Sequence, residues 1–191
     1  MAKFEKLTKP YDIEKFHELF CKKIDYEIPL TYFKKGSCYG MFVKKVEKTG
    51  FGDLAWHDLV GGFCLVHDIP SKLRSIKQIP LEEPLKELPT SKTAEFTGYF
   101  LLDKKHGLYF TLNLVRVILG HKAKKFVYSY PVSQKRLGKY YSYGNPDKLY
   151  TGVPRRLTGH SENMEAEHVE ALTKWGIVKI FLARTYRYLT R

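Results

Sequence analysis

The chain has 191 residues, with 33 Lys plus Arg against 20 Asp plus Glu, which gives a formal net charge of +13. Hydrophobic residues make up 43% and aromatic residues 15%, enough to bury one core and too many for a generally disordered chain. The apolar stretches 108–119 and 175–183 are interrupted by charge and too short to span a membrane. Three cysteines without metal-ligand spacing, and a start without a signal-peptide pattern, predict a reduced, cytoplasmic protein.

The excess of positive charge favours an anionic ligand, such as a nucleic acid, a phosphate-rich cofactor or an acidic carrier protein. For any single basic cluster a solvated surface is the ordinary interpretation. The cluster at 104–106 stands apart because it lies in a loop between a predicted strand and a predicted helix. The basic clusters are 104–106, 121–125, 135–136 and 155–156, followed by Arg184, Arg187 and Arg191.

In the first third of the chain, alternating and β-branched segments predict strands, and one helix-spaced segment predicts a helix capped by Asp12. Turn residues at 50–53 separate two of these strands and predict a hairpin. The predicted elements are a strand at 4–8, a helix from Asp12 that ends before Pro29, and strands at 38–46 and 59–66.

An irregular, proline-rich segment spans 69–93, with one short helical turn at 73–76. Long ordered loops in compact domains usually have a function, so this segment is a candidate loop over a site; a surface connector is the alternative.

The second half alternates strands and helices, which predicts an α/β (α+β) sheet in one domain covering 1–191. After Glu162 the pattern favours one or two helices, with a last strand at 177–182 as an alternative, so 157–191 is predicted to be an extension packed on the domain. The remaining predicted elements are a strand at 94–102, a helix from Leu108 to Gly120 with Leu112, Val115 and Leu119 on one face, a strand at 126–130, a helix from Ser133 to Tyr143, and a strand at 148–153.

The loop Asp103–Gly107 joins the strand at 94–102 to the helix that follows. A helix N-terminus leaves backbone N–H groups free, carries partial positive charge and binds phosphate. Gly107 permits a close approach of backbone to ligand, and Lys104, Lys105 and His106 add full positive charge. The loop therefore has the features of a pyrophosphate site, and a strand-to-helix turn with solubilising lysines is the alternative.

The strand order, together with Val60-Gly-Gly-Phe63 and Glu95-Phe-Thr-Gly-Tyr-Phe100, resembles the GNAT superfamily of acyl-CoA N-acyltransferases. That family carries a Gln/Arg-x-x-Gly-x-Gly/Ala motif at this loop, which wraps the pyrophosphate of CoA. Lys104 falls on the Gln/Arg position, Gly107 on the first glycine and Tyr109 on the second Gly/Ala position. The resemblance covers most of 2–153.

The resemblance implies a mixed, mostly antiparallel central sheet with a splayed parallel pair, helices on both faces and a helical C-terminal extension. It implies acetyl-CoA or a longer acyl-CoA as the donor, an unidentified amine as the acceptor, and no metal. Backbone N–H groups near Phe100 and Leu101 would hold the thioester oxygen. The implied donor-binding residues are Phe100, Leu101, Lys104, Lys105, His106, Gly107, Leu108 and Tyr109.

A second match is the segment 133–144, which keeps the family's tyrosine-to-glycine spacing and places Tyr140 on the family's tyrosine. That tyrosine commonly protonates the departing thiolate, and a phenol with an ordinary pKa near 10 suits the task. Glu95 is the candidate base, acting directly or through water, and partial burial would raise its carboxyl pKa toward what the task needs. The alternatives are a surface carboxylate for Glu95 and a packing residue for Tyr140.

Two other interpretations stay open. The bulk of Tyr109 and the basic surface are compatible with an acyl carrier protein as donor, as in N-acyl amino acid synthases that resemble GNAT proteins. The protein could also be a non-catalytic module in which tyrosines such as Tyr128 and Tyr130 stack on single-stranded nucleic acid, although packing tyrosines are the more common case. The sequence has neither a Gly-x-Ser-x-Gly element nor a phosphate-binding P-loop.

Overall fold

The computed structural model describes residues 2–24, 27–50, 52–83, 92–157 and 164–189, with side chains in the last helix described as far as Ala183. In these ranges the chain forms seven strands and six α-helices. The strands are β1 (Ala2–Lys6), β2 (Gly36–Thr49), β3 (Gly52–Val66), β4 (Thr93–Leu101), β5 (Lys125–Pro131), β6 (Asp147–Gly152) and β7 (Glu167–Thr173). The helices are α1 (Pro10–Ile24), α2 (Leu30–Lys34), α3 (Arg74–Lys77), α4 (Gly107–Gly120), α5 (Lys135–Ser142) and α6 (Lys174–Leu189), with short 3₁₀ turns at Pro70–Lys72 and Lys104–His106.

All seven strands join one sheet in the order β1-β2-β3-β4-β5-β7-β6. Neighbouring strands are antiparallel except β4 and β5, which are parallel and pair through Thr93, Ala94 and Glu95. This is the predicted α/β class with a mostly antiparallel sheet and one parallel pair, and the predicted β2–β3 hairpin is confirmed.

Two aromatic-rich cores cover the two faces of the sheet. On one face α1, α2 and α3 bury Phe16, Phe33 and Ile76 against strand residues such as Phe100. On the other face α4 and α6 bury side chains against Phe63, Phe126 and their neighbours. Each helix supplies an apolar side and the strands alternate between the faces, so both sides of the sheet are covered.

A bulge in β4 lies opposite β3, where Phe100 pairs with Gly62 and Thr97 pairs with Cys64. The extra residue is accommodated at Gly98, whose φ of +68° lies in the left-handed region that favours glycine. The bulge bends β4 in the part of the strand that has left its pairing with β5.

Three local predictions were wrong. The residues Glu167–Thr173 form a strand inside the sheet rather than a helix, because β7 pairs with both β5 and β6. Helix α1 begins at Pro10, so Asp12 lies inside its first turn rather than at its cap. The favoured helix over 177–182 is confirmed as part of α6, and the alternative strand there is not formed. Helix α5 begins at Lys135 with Gln134 at the N-cap position and no side-chain cap, so Ser133 does not cap it.

The face of α4 was also misassigned. Leu108, Leu112 and Leu119 are 46%, 60% and 40% exposed, whereas the buried side carries Phe110, Thr111, Leu114 and Ile118. The helix is apolar almost all round, so hydrophobic periodicity alone did not identify the side that contacts the sheet.

Candidate active site

The gap between β4 and β5 is the main irregularity of the sheet. The two strands pair at three positions, Thr93 with Lys125, Ala94 with Phe126 and Glu95 with Val127, although β4 continues to Leu101 and β5 to Pro131. Beyond Glu95 the facing backbone edges of the two strands are therefore available to a ligand. The separation begins close to the start of both strands, which makes the gap deep.

Both strands of this pair are followed by helices, so the N-termini of α4 and α5 lie at the same edge of the sheet, at the mouth of the gap. Neither helix has a side-chain cap or an acidic residue in its first turn. Some N–H groups at these starts are already paired: the Lys105 N–H donates to Asp103 Oδ1, the Gly107 N–H to the Lys104 carbonyl, and the Ser133 N–H to Glu165 Oε1. The positive ends of both helix dipoles lie at this edge, which suits an anionic group.

The loop at the start of α4 is open to solvent on its cationic side. Lys104 and Lys105 are exposed, while the Asp103 carboxylate accepts hydrogen bonds from the Lys105 N–H at 2.9 Å and from His106 Nδ1 at 3.1 Å. Tyr109 is 40% exposed on the helix surface and does not line the cavity in the gap. A side chain at position 109 therefore leaves the gap open.

Some backbone N–H groups of β4 point toward β3, and others point toward the gap. The Leu102 N–H donates to the Val60 carbonyl of β3 at 2.7 Å, and the Phe100 carbonyl also points toward β3, 3.3 Å from where a Cβ on Gly61 would lie. Because successive residues of a strand present their amides to opposite edges, the Leu101 N–H faces the gap and the Phe100 N–H faces β3. Of the two predicted oxyanion donors, Leu101 has the suitable direction.

A cavity of about 700 Å³ occupies the α4, α5 and α6 side of the gap. Its walls come from Phe96 and Tyr99 of β4, Tyr128 of β5, and residues of α5 and α6. Tyr140 on α5 lines this cavity. The predicted tyrosine reaches the cavity because residues 137, 140 and 141 lie on the side of α5 that faces it.

Glu95 lies on the opposite face of the sheet and is buried. Its Oε2 accepts a 2.7 Å hydrogen bond from the Tyr32 hydroxyl and a 2.9 Å bond from the Ser75 N–H. Burial raises the pKa of the Glu95 carboxyl above its ordinary value, and the hydrogen bonds from Ser75 and Tyr32 oppose that rise. The raised pKa is what a carboxylate base near neutral pH requires, and partly buried Tyr32 separates the carboxylate from solvent.

A second carboxylate on the same face, Glu167, was missed in the sequence. Burial raises the pKa of Glu167, and the carboxylate accepts a 2.8 Å hydrogen bond from Gln78 Nε2. Its position depends on β7 pairing with β5, where Glu167 lies opposite Pro131, across β5 from the gap. Tyr32 was missed as well, because nothing in its local sequence connects it with Glu95, 63 positions away.

The tyrosines considered for base stacking are packing residues. Tyr128 and Tyr130 are 4% and 6% exposed, and their hydroxyls donate to the buried Glu170 carboxylate at 2.8 and 3.2 Å. Tyr141 packs against both rings. This cluster fixes the β5 wall of the gap rather than offering rings to a nucleic acid.

Three features identify the fold: the order of the sheet, the splayed parallel pair and the helix that starts at Gly107. The chain has a GNAT-like fold. Arabidopsis thaliana NAA60 in complex with a bisubstrate analogue superposes with a TM-score of 0.59 at 10% sequence identity, covering 91% of this chain and 99% of that one. FeeM, an N-acyl amino acid synthase from uncultured soil microbes, gives 0.56 at 12% identity, covering 97% and 98%.

A spermidine N-acetyltransferase chimera of Vibrio cholerae SpeG and hSSAT gives a TM-score of 0.51 at 11% identity, covering 93% of this chain and 98% of that one. No protein-family model matches the chain, and no curated protein sequence matches it. The GNAT-like fold is therefore recognised through its architecture. Among the described residues, no helix combines the length and the apolar character needed to cross a membrane.

Proposed function

We propose that the protein transfers an acyl group from an acyl thioester, such as an acyl-CoA, to an amine. The observation that carries the proposal is the gap itself, in which β4 and β5 separate after Glu95 and both following helices begin at its mouth. This arrangement offers an extended edge for the donor chain and positive potential for its phosphates.

The reaction needs three functions from the chain. The amine nitrogen attacks the thioester carbonyl and forms the C–N bond, and the negative charge on the carbonyl oxygen is stabilised by the Leu101 N–H. The C–S bond then breaks and the sulfur takes a proton from the Tyr140 hydroxyl. The proton lost by the amine goes to a carboxylate, so that the products are an amide and a free thiol.

Two carboxylates on the α1–α3 face are candidates for the base. Glu95 is reached through Tyr32, whose hydroxyl would relay the proton, and Glu167 lies at the start of β7, across β5 from the gap. Both have raised carboxyl pKa values because both are buried. We assign Glu95 as the base, as its position in β4 borders the start of the gap.

The direct test incubates the purified protein with acetyl-, octanoyl- and dodecanoyl-CoA and a panel of amines that includes spermidine, amino acids and N-terminal peptides. Thiol release is followed with a chromogenic disulfide, and product amides are identified by mass spectrometry. Calorimetric titration with the same thioesters measures donor binding. No binding and no thiol release across the series would refute the proposal.

Variants assign the roles. Tyr140→Phe should lower kcat by about 10²-fold or more with little change in donor affinity, since it removes only the proton donor. Tyr143→Phe, at the end of the same helix, is the matched control. Glu95→Gln should abolish the acidic limb of the pH profile, where activity falls as the base becomes protonated, and Glu167→Gln should retain that limb. The reverse pattern would assign the base to Glu167.

An acyl carrier protein is the second candidate donor, and the exposed cations at the mouth of the gap favour it. Lys135 and Arg136 begin α5 and line the cavity, so two positive charges lie at its entrance. Lys104 and Lys105 precede α4 and line a separate pocket with Lys15, Lys45 and Asp58. Lys122 and Lys124 lie past the other end of α4, about 20 Å away along its axis. Charge reversal of the Lys135–Arg136 pair should weaken carrier binding at least tenfold, while reversal of Lys122 and Lys124 should leave it unchanged.

A further inference from the structure

The cavity in the gap is far larger than an acetyl group requires. It measures about 700 Å³, and its walls are mainly apolar, including Phe96, Leu137, Leu172, Ile177, Ile180 and Phe181. If a methylene takes about the volume of a water molecule, roughly 30 Å³, the space corresponds to about twenty such groups. A pocket of this size and character is suited to a hydrocarbon chain.

The length of the cavity follows from the pairing of β5 with β7. Leu172 of β7 lies opposite Phe126 near the start of β5, while the rim residues Gln134 and Lys135 follow the end of β5 at Pro131. Five residues separate these levels, which is about 17 Å along an extended strand. A carbon chain advances about 1.25 Å per bond, so this depth accommodates roughly a dozen carbons.

Helix α6 closes the outer side of this cavity. Ile177, Ile180 and Phe181 face inward and are buried, and the Phe181 ring packs against the Tyr99 ring of β4 at a centroid distance of 6.2 Å. Lys174 Nζ donates to the Leu119 and His121 carbonyls and so joins the start of α6 to the end of α4. The cavity is thus covered by the protein's own last helix, with the polar end left as the opening.

The opening of the cavity is polar and positively charged, in contrast to its apolar walls. Ser133, Gln134, Lys135 and Arg136 line the same cavity and are exposed, and they surround the uncapped start of α5. An amphiphile with an anionic head would place its head at this cationic rim and its tail toward Leu172 and Ile177.

We infer that this cavity binds the hydrocarbon chain of a fatty acyl thioester, with its preferred length between about eight and twelve carbons. The inference rests on the proposed function and narrows the donor to medium- and long-chain acyl groups. The thioester lies at the gap, the phosphate-bearing arm leaves between the starts of α4 and α5, and the chain runs beneath α6.

The test measures affinity for acetyl-, butanoyl-, octanoyl- and dodecanoyl-CoA with the full-length protein. Burial of a methylene strengthens binding about fourfold, so six added methylenes should raise affinity at least a hundredfold after the loss of chain freedom. We expect affinity to rise steadily to octanoyl-CoA and kcat/KM to follow it. Equal affinity for acetyl- and dodecanoyl-CoA would overturn the inference.

A substitution that fills the cavity tests where the acyl chain binds. Leu137→Trp adds bulk from the partly buried side of α5 and should weaken dodecanoyl-CoA binding at least tenfold while acetyl-CoA affinity changes less than threefold. Leu112→Trp on the exposed side of α4 is the control and should change neither. Ile177→Trp, at the closed end, should shift the preferred length to a shorter chain, and circular dichroism verifies that each variant folds.

The outcomes separate the two proposals. Transfer from acetyl-CoA without any gain from chain length would refute the chain site and leave the acyltransferase standing. Tight, chain-dependent binding blocked by Leu137→Trp, with no amide formed from any amine, would support the chain site and refute the transferase. Chain-dependent binding that Leu137→Trp and Ile177→Trp both leave unchanged would overturn the assignment to this cavity.

Discussion

Replacing Gly98 with alanine tests the bulge that shapes the β4 side of the gap. Gly98 has φ +68°, and an added Cβ would lie 2.8 Å from Phe16 Cζ and 3.0 Å from Phe33 Cε1. Both rings are fully buried and cannot move into solvent. The left-handed backbone costs about 1–2 kcal/mol for a residue with a Cβ. Overpacking adds about 1–3 kcal/mol.

The sum predicts a loss of about 2–5 kcal/mol in the free energy of unfolding. For a chain of this size that is a fall in Tm of roughly 5–20 °C. Urea unfolding followed by circular dichroism and intrinsic fluorescence measures it. Gly107→Ala is the matched control, since Gly107 is in the right-handed helical region and its added Cβ would meet Leu101 Cδ2 at an ordinary 3.6 Å. A Gly98→Ala protein as stable as Gly107→Ala would refute the account of the bulge.

Three further outcomes follow from packing and charge. Tyr128→Phe removes one of two hydroxyl donors to the buried Glu170 carboxylate and should cost about 1.5–3 kcal/mol in urea unfolding; a loss below 0.5 kcal/mol would contradict the buried pairing. Leu114→Ala should cost about 2–5 kcal/mol whereas Leu112→Ser should stay within about 0.5 kcal/mol, and equal losses would mean that the exposed side of α4 is covered. Burial lowers the pKa of His121 to about 4, so the unfolded chain binds its proton first as pH falls from 6.5 toward 4, and stability should fall by about 1 kcal/mol once half-exposure is discounted. His121→Asn should remove that part of the pH slope, and an unchanged slope would refute it.

The elements that could be predicted from sequence are those in which local pattern and burial agree. The β2–β3 hairpin follows from alternating apolar residues around a glycine turn, and the loop before α4 follows from a strand, a basic stretch and Gly107 in succession. Tyr140 was found through a family resemblance in its helix, and the cavity beside it is consistent with that choice.

Long-range pairing could not be predicted in this way. The strand at Glu167–Thr173 has no pattern that distinguishes it from a helix, and its state is decided by pairing with β5 and β6 on its two sides. The Tyr32–Glu95 contact and the Glu170 cluster likewise join residues 63 and about 40 positions apart. Such contacts depend on which distant segments pack side by side and in which alignment, and one sequence alone does not specify this.

The sequence by itself determined most of the strands and helices as far as β6, the basic loop at the start of α4 and the type of chemistry that its residues could support, because these depend on neighbours in the chain. The tertiary structure decided where β4 and β5 separate, which side of α4 is buried and that α6 covers an apolar cavity. These features arise where segments distant in sequence compete for the same apolar surface, and only their packing together determines which surface each one covers.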